Sequence, residues 1–174
     1  MAINSSRLKI TVRESITLND NKYDSFITHN IDGINEISKR IITVAGDNQL
    51  HNIIQVSGSI GPGAFLTDDV KYMRFTNLST DNPIMLTLKN EDSDSFVTKI
   101  GQGLSFIYSG ASGSGVVDTM DADSSNIDIT AGAYAGLGDL TSVVAKASGS
   151  AAEYAGSTSG SVYNVDMEIF VAAI

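Results

Sequence analysis

The sequence has no cysteine and no tryptophan, and only two prolines and two histidines among its 174 residues. Without cysteine there is no disulfide and no thiolate metal site, which fits a chain made in a reducing cytoplasm. No run of 18 apolar residues occurs, so no transmembrane helix is expected. The start, MAINSSRLKITV, lacks the apolar stretch of a signal peptide. Positive charge is scarce in the second part. Residues 101–174 carry one basic residue, Lys146, against eight acidic ones, while residues 1–100 carry ten against twelve. A net charge of −9 repels phosphate, so no nucleic-acid partner is expected, and no membrane partner either.

What the chain has in abundance is strand pattern. Leu8, Ile10, Val12, Ile16 and Leu18 share even parity, with Glu14 the exception, while Lys9, Thr11, Arg13, Ser15 and Thr17 take the other face. Asn19-Asp20-Asn21 is a turn. Further strands are expected over Lys22–Ile31, Glu36–Val44 and Leu50–Ser57, separated by Asp32-Gly33 and by Ala45 to Asn48, with a flexible loop from Gly58 to Gly63. A meander follows: Tyr72–Asn77, then Ile84, Leu86 and Leu88 alternating with Met85, Thr87 and Lys89, then Phe96–Ile100, then Leu104, Phe106 and Tyr108 on one face. Tyr163, Val165, Met167, Ile169 and Val171 end the series, and so regular a strand is expected to be paired inside a sheet. The best helical candidate, Leu137 to Ala147, is broken by Gly138 and by β-branched Thr141, Val143 and Val144.

Residues 109–161 differ in kind. More than half are Gly, Ala or Ser. Val116, Val117, Leu137, Leu140, Val143 and Val144 make the segment too apolar for a plain solvated linker. We read it as a long excursion with short strands over Asn126–Thr130 and Leu140–Lys146. Small residues permit close backbone approach, so it is expected to contact neighbouring subunits or another neighbouring surface.

Residues that carry chemistry are few. His29 and His51 lie in expected strands, without a Ser on a strained turn to make a triad. Gly101-Gln102-Gly103 and Gly61-Pro62-Gly63 are too short for a dinucleotide fingerprint, and no Gly-rich run leads to a P-loop lysine. Asp118, Asp121, Asp123 and Asp128 cluster, but Asn126 and Gly132 stand where a calcium loop needs Gly and Glu. Paired acids for glycoside cleavage need only meet in space, yet a chain without Trp offers few platforms for sugar. No catalytic, cofactor-binding or metal-ligating residue is therefore assigned, and no enzymatic activity is expected.

The stretch VKYMRFTNLSTDNPIMLTLKNEDSDSFVTKIGQGLSFIY resembles a module of small virion structural proteins of marine tailed bacteriophages. The resemblance is carried by Lys71, Tyr72, Arg74, Thr76, Asn77 and Leu78; by Leu86, Thr87, Leu88, Asn90 and Glu91; by Phe96 and Lys99; and by Gly103, Ser105, Phe106 and Ile107. Ile37–Val44, Gly115–Ala122 and Val165–Ala173 are similar to the same proteins, which brings the coverage to about three quarters of the chain. Residues 123–161 match least. The resemblance implies a particle component.

Pattern and resemblance together give an all-β expectation: an antiparallel β-sandwich of jelly-roll type, a single domain over 1–174 with the small-residue excursion within it. The expected function is a capsid decoration or cement protein on the head of a virion assembled in the host cytoplasm. The alternatives are a neck, tail or fibre component, or a carbohydrate-binding module for host attachment. The expected partners are the major capsid protein or other virion proteins and further copies of the chain, with a trimer preferred. The expected core includes Ile10, Val12, Ile41, Phe75, Leu86, Leu88, Phe106, Met167 and Ile169.

Overall fold

The computed structural model describes residues 6–47, 49–57, 64–66, 69–90, 95–109, 118–119, 138–147 and 163–174. Every regular element among them is a strand: β1 (Arg7–Leu18), β2 (Asn21–Asp32), β3 (Glu36–Val44), β4 (His51–Ser57), β5 (Ala64–Leu66), β6 (Val70–Asn77), β7 (Ile84–Asn90), β8 (Ser95–Ile100), β9 (Ser105–Ser109), β10 (Asp118–Thr119), β11 (Gly138–Ala147) and β12 (Val165–Ala173). The all-β expectation holds.

Two sheets make the body. One runs β3-β12-β6-β9; the other runs β5-β4-β11-β7-β8, with β10 paired to the start of β11. All pairings are antiparallel except that of β4 with the short β5. The alternation read from the sequence becomes the core directly. On β12, Val165, Met167, Ile169 and Val171 face inward; on β6, Met73 and Phe75; on β7, Ile84, Leu86 and Leu88. They meet Ile54 and Val56 of β4 and Val143, Ala145 and Ala147 of β11 in one cluster that joins the two sheets. Each large side chain buried there contributes about 1.5–3 kcal/mol. The terminal strand is interior, as its regularity predicts, with β3 on one side and β6 on the other.

Of the segment 109–161, only Ser109, Asp118–Thr119 and Gly138–Ala147 are described. The expected strand Asn126–Thr130 and the acidic residues Asp121, Asp123 and Asp128 lie outside the described residues. The expected strand Leu140–Lys146 exists, but its role is not the one anticipated. It stands between β4 and β7 in the middle of its sheet. Leu140, Val143 and Val144 are buried in the chain's own core and cannot face a neighbouring subunit. Register shifts on both sides of β11, which mark bulges, accompany the burial of consecutive Val143, Val144 and Ala145.

Two of the expected core residues are misplaced. Val12 is exposed on β1, and Ile41 is 63% exposed on β3. On β3, Ile41 and Ile42 are both apolar, so parity alone leaves the inward face open. Pairing with β12 sets Ile42 opposite inward Met167 and Ile41 opposite outward Glu168. Ile10 and Phe106 are half-buried, and the other five are fully inside.

Candidate interaction surface

Among the described residues β1 and β2 pair only with each other, in register from Arg7↔Asp32 to Leu18↔Asn21. Two 12-residue strands of this kind make a ribbon about 40 Å long. Its turn is built from Asn19 and Asp20, both at positive φ (50° and 61°). That conformation is the hairpin turn whose twist matches the strands, and Asn and Asp tolerate it best among residues with a side chain.

The root of this arm is fixed to the body. Leu8, Ile10 and Ile31 pack on Ile34, Tyr72, Phe170 and Ala172, and the rings of Tyr72 and Phe170 meet edge to face at 5.9 Å. Burial raises the pKa of the Tyr72 hydroxyl above its ordinary value. Gly33, at φ 82°, turns the chain out of the arm, and its N–H donates to the Ser6 carbonyl at 2.9 Å. The Asn35 N–H donates to the Ala173 carbonyl at 3.0 Å.

Beyond the root the arm stands clear. Every residue from Thr11 to Asn30 is exposed. Cross-strand partners share a face in an antiparallel pair, so the register sorts the side chains. One face carries Val12 with Ile27, Glu14 with Ser25, Ile16 with Tyr23, and Leu18 with Asn21. The other carries Thr11 with Thr28, Arg13 with Phe26, Ser15 with Asp24, and Thr17 with Lys22. The second face is held by polar pairs: Arg7 with Asp32, Lys22 Nζ to Asp24 at 2.6 Å, and the Ser15 hydroxyl donating to Asp24 at 2.6 Å. Lys22 and Ser15 together hold the Asp24 carboxyl below its ordinary pKa. The first face has no such partners. Its apolar members are exposed from 48% at Val12 to 67% at Ile27.

The outward side of the β3-β12-β6-β9 sheet adjoins the arm's root. Ion pairs cross it: Glu168 accepts from Arg74 and, at 3.2 Å, from Lys39. The Thr43 hydroxyl donates to Asp166 at 2.6 Å. Around this polar centre lie the exposed side chains of Ile37, Ile41 and Ile107.

The histidines are not brought together into a site. His29 stands on the arm opposite Ile10. His51, at the start of β4, bonds through Nε2 to Asp47 Oδ1 at 2.8 Å and holds that carboxyl below its ordinary pKa. Among the described residues, no group of three His, Asp or Glu is placed to hold a metal ion, and no helix is long and apolar enough to cross a membrane.

Reading the sequence missed the work of Asn77. It is fully buried. Its Nδ2 donates to the carbonyls of Asn82 (2.8 Å) and Ile100 (3.2 Å), and its Oδ1 accepts from the Ser79 N–H at 2.9 Å. Its own N–H reaches the Leu104 carbonyl, and the next N–H reaches Asp166. One amide side chain thus ties the β6–β7 turn to the end of β8. The signal was present in the Thr76-Asn77-Leu78 stretch, where an Asn sits at the end of an apolar strand just before a turn. No family model, curated protein or solved structure matches the chain.

Proposed function

We propose that the body is a jelly roll and that the protein is a structural component of a phage particle, a decoration or cement protein that adheres to the head. Leave aside the arm and the short β5 and β10. The remaining eight strands, numbered in chain order, stand as 1-8-3-6 in one sheet and 2-7-4-5 in the other. First pairs with last, second with seventh, third with sixth and fourth with fifth. This is one long antiparallel ribbon rolled up, the order expected of a jelly roll. That architecture serves capsid proteins, lectins and enzymes alike, so it cannot carry the function alone.

The observation that carries it is the arm. A hairpin of two 12-residue strands with one apolar face open to solvent is a device for adhesion between protein surfaces. It supports the same reading as the resemblance of Lys71–Ile107 to virion proteins. In this reading the partners are the major capsid protein or other virion proteins and further copies of the chain, preferably as a trimer, and neither catalysis nor a cofactor is involved. The test is quantitative mass spectrometry of purified particles. The expected result is this chain in simple proportion to the major capsid protein. A few copies per particle would place it in the neck or tail instead, and its absence would overturn the reading.

A further inference from the structure

Deepening the virion reading above and resting on it, we propose that the occupant of the arm's apolar face is a second copy of this chain. Specifically, Val12, Ile16, Leu18, Tyr23 and Ile27 lie on the outward side of the neighbour's β3-β12-β6-β9 sheet, over Ile37 and Ile41. Three features select a copy of the same chain.

The first is continuity. The same face of the arm, at Leu8, Ile10 and Ile31, already packs on the outward side of this sheet through Tyr72, Phe170 and Ala172. The arm then runs on past its own body while the rest of that sheet face keeps Ile37, Ile41 and Ile107 uncovered. What the distal arm needs is more of the surface its root already uses, and another copy supplies it.

The second is charge. Between Arg7 and Asp32 there are four basic residues (Arg7, Lys9, Arg13, Lys22) and four acidic ones (Glu14, Asp20, Asp24, Asp32). The arm is therefore neutral, and the whole net charge of −9 lies elsewhere. A neutral limb approaches an acidic copy without the repulsion that two acidic bodies would feel.

The third is area. The exposed apolar face of one arm offers on the order of 500 Å², at the upper end of what a monomer leaves open. An arm and the surface it covers would together lose about 1,000 Å², so one arm given and one received removes about 1,000 Å² from each subunit, against roughly 800 Å² per partner in a standard interface. A ribbon of two strands is itself marginal in water and becomes ordered when a third surface covers it.

The test uses the full chain, purified without any particle, so its outcome is independent of whether the virion reading is correct. Sedimentation should show a concentration-dependent oligomer. The double variant Val12→Ser, Ile27→Ser should weaken association at least tenfold, while Thr11→Ser, Thr28→Ser on the opposite face should not. Because the chain has no cysteine, Ile16→Cys and Ile41→Cys can be made as separate single-thiol variants and mixed with a short bismaleimide. The expected product is a crosslinked pair containing one of each. A monomeric wild type overturns the proposal. So does unchanged association of the Val12/Ile27 variant. A mixture that yields only Ile16–Ile16 products overturns it as well, since the arms would then cover each other. If the Val12/Ile27 variant fails to fold, the crosslinking result stands alone and decides.

Discussion

The arm and the body are written in the same alternating code and meet opposite fates. On β1, Ile10, Val12 and Ile16 keep one parity, as Ile84, Leu86 and Leu88 do on β7. Leu86 is fully buried, and Ile16 is mostly in water. Alternation therefore states that a strand has an apolar face. It does not state that the same chain supplies the cover. In the body the cover comes from a second sheet; in the distal arm none of the described residues provides it.

The sharpest way to break this comparison is to truncate matched side chains. Phe75→Ala, in the centre of the core, should lower stability by about 3–5 kcal/mol through lost burial and the cavity left behind. Next comes Asn77→Asp. It removes the Nδ2 donor that serves two carbonyls and buries a carboxylate beside them, so about 3 kcal/mol is expected at neutral pH. Part of that loss should return in acid, because a protonated carboxyl can donate again. Denaturant midpoints at two pH values check both variants. A loss for Asn77→Asp that is the same at both pH values would show that the missing donor, not the buried charge, dominates.

Gly46 sharpens the comparison at the boundary of the body. A Cβ there would lie 2.4 Å from the Tyr163 backbone, and main chain cannot give way as a side-chain tip can. Gly46→Ala should cost about 1–3 kcal/mol, whereas the positive-φ Gly103, with open space around its Cβ position, should show only its backbone strain. In the arm the same logic predicts little. Ile16→Ala should shift the stability of the isolated body by no more than about 0.5 kcal/mol, as read by thermal unfolding in dilute solution. A loss as large as that for Phe75→Ala would mean that the chain covers its own arm.

The smallest effect is that of pH. The carboxyls of Asp47 and Asp24 both lie below their ordinary value of 3.8, held there by His51 and by Lys22 with Ser15. A depressed folded-state pKa contributes stability that is present above the unfolded value and lost as pH falls through the folded one. Both groups are at the surface, so the effect is small. Asp47→Asn should flatten the acid limb of the unfolding profile slightly. Asp24→Asn, in the arm, should leave that limb of the body unchanged.

Much of this was legible in the sequence because most of the strands announce themselves locally. Ile84, Leu86 and Leu88, or Val165 to Val171, need no knowledge of their neighbours to be read. What could not be read depends on residues far away. Whether Ile41 or Ile42 points inward is decided by the register with β12. Leu140 to Lys146 could be recognised as a strand, but among so many small residues nothing marked it as the one that joins β4 to β7. There Ala145 and Ala147 are valuable because they are small. Val12 was given the correct face and the wrong environment, for the reason the arm as a whole illustrates. Asn77 was legible only as the end of a strand, while its bond to the Ile100 carbonyl required β8 to arrive from more than twenty positions on.

The position of β12 has a consequence in time. It lies between β3 and β6, so the sheet cannot close until residues 165–173 have been synthesised. Until then β3 and β6 each present a free edge where β12 will lie, and Met73 and Phe75 have only β9 beside them in the sheet. Pairs drawn from opposite ends of the body, such as Val44 with Val165, form slowly because so much chain must be ordered before they gain anything. The nascent protein therefore passes through an interval with open strand edges next to a neutral, apolar ribbon. In that interval chaperone capture and premature association compete with folding, and the arrival of β12 is the event that ends the competition.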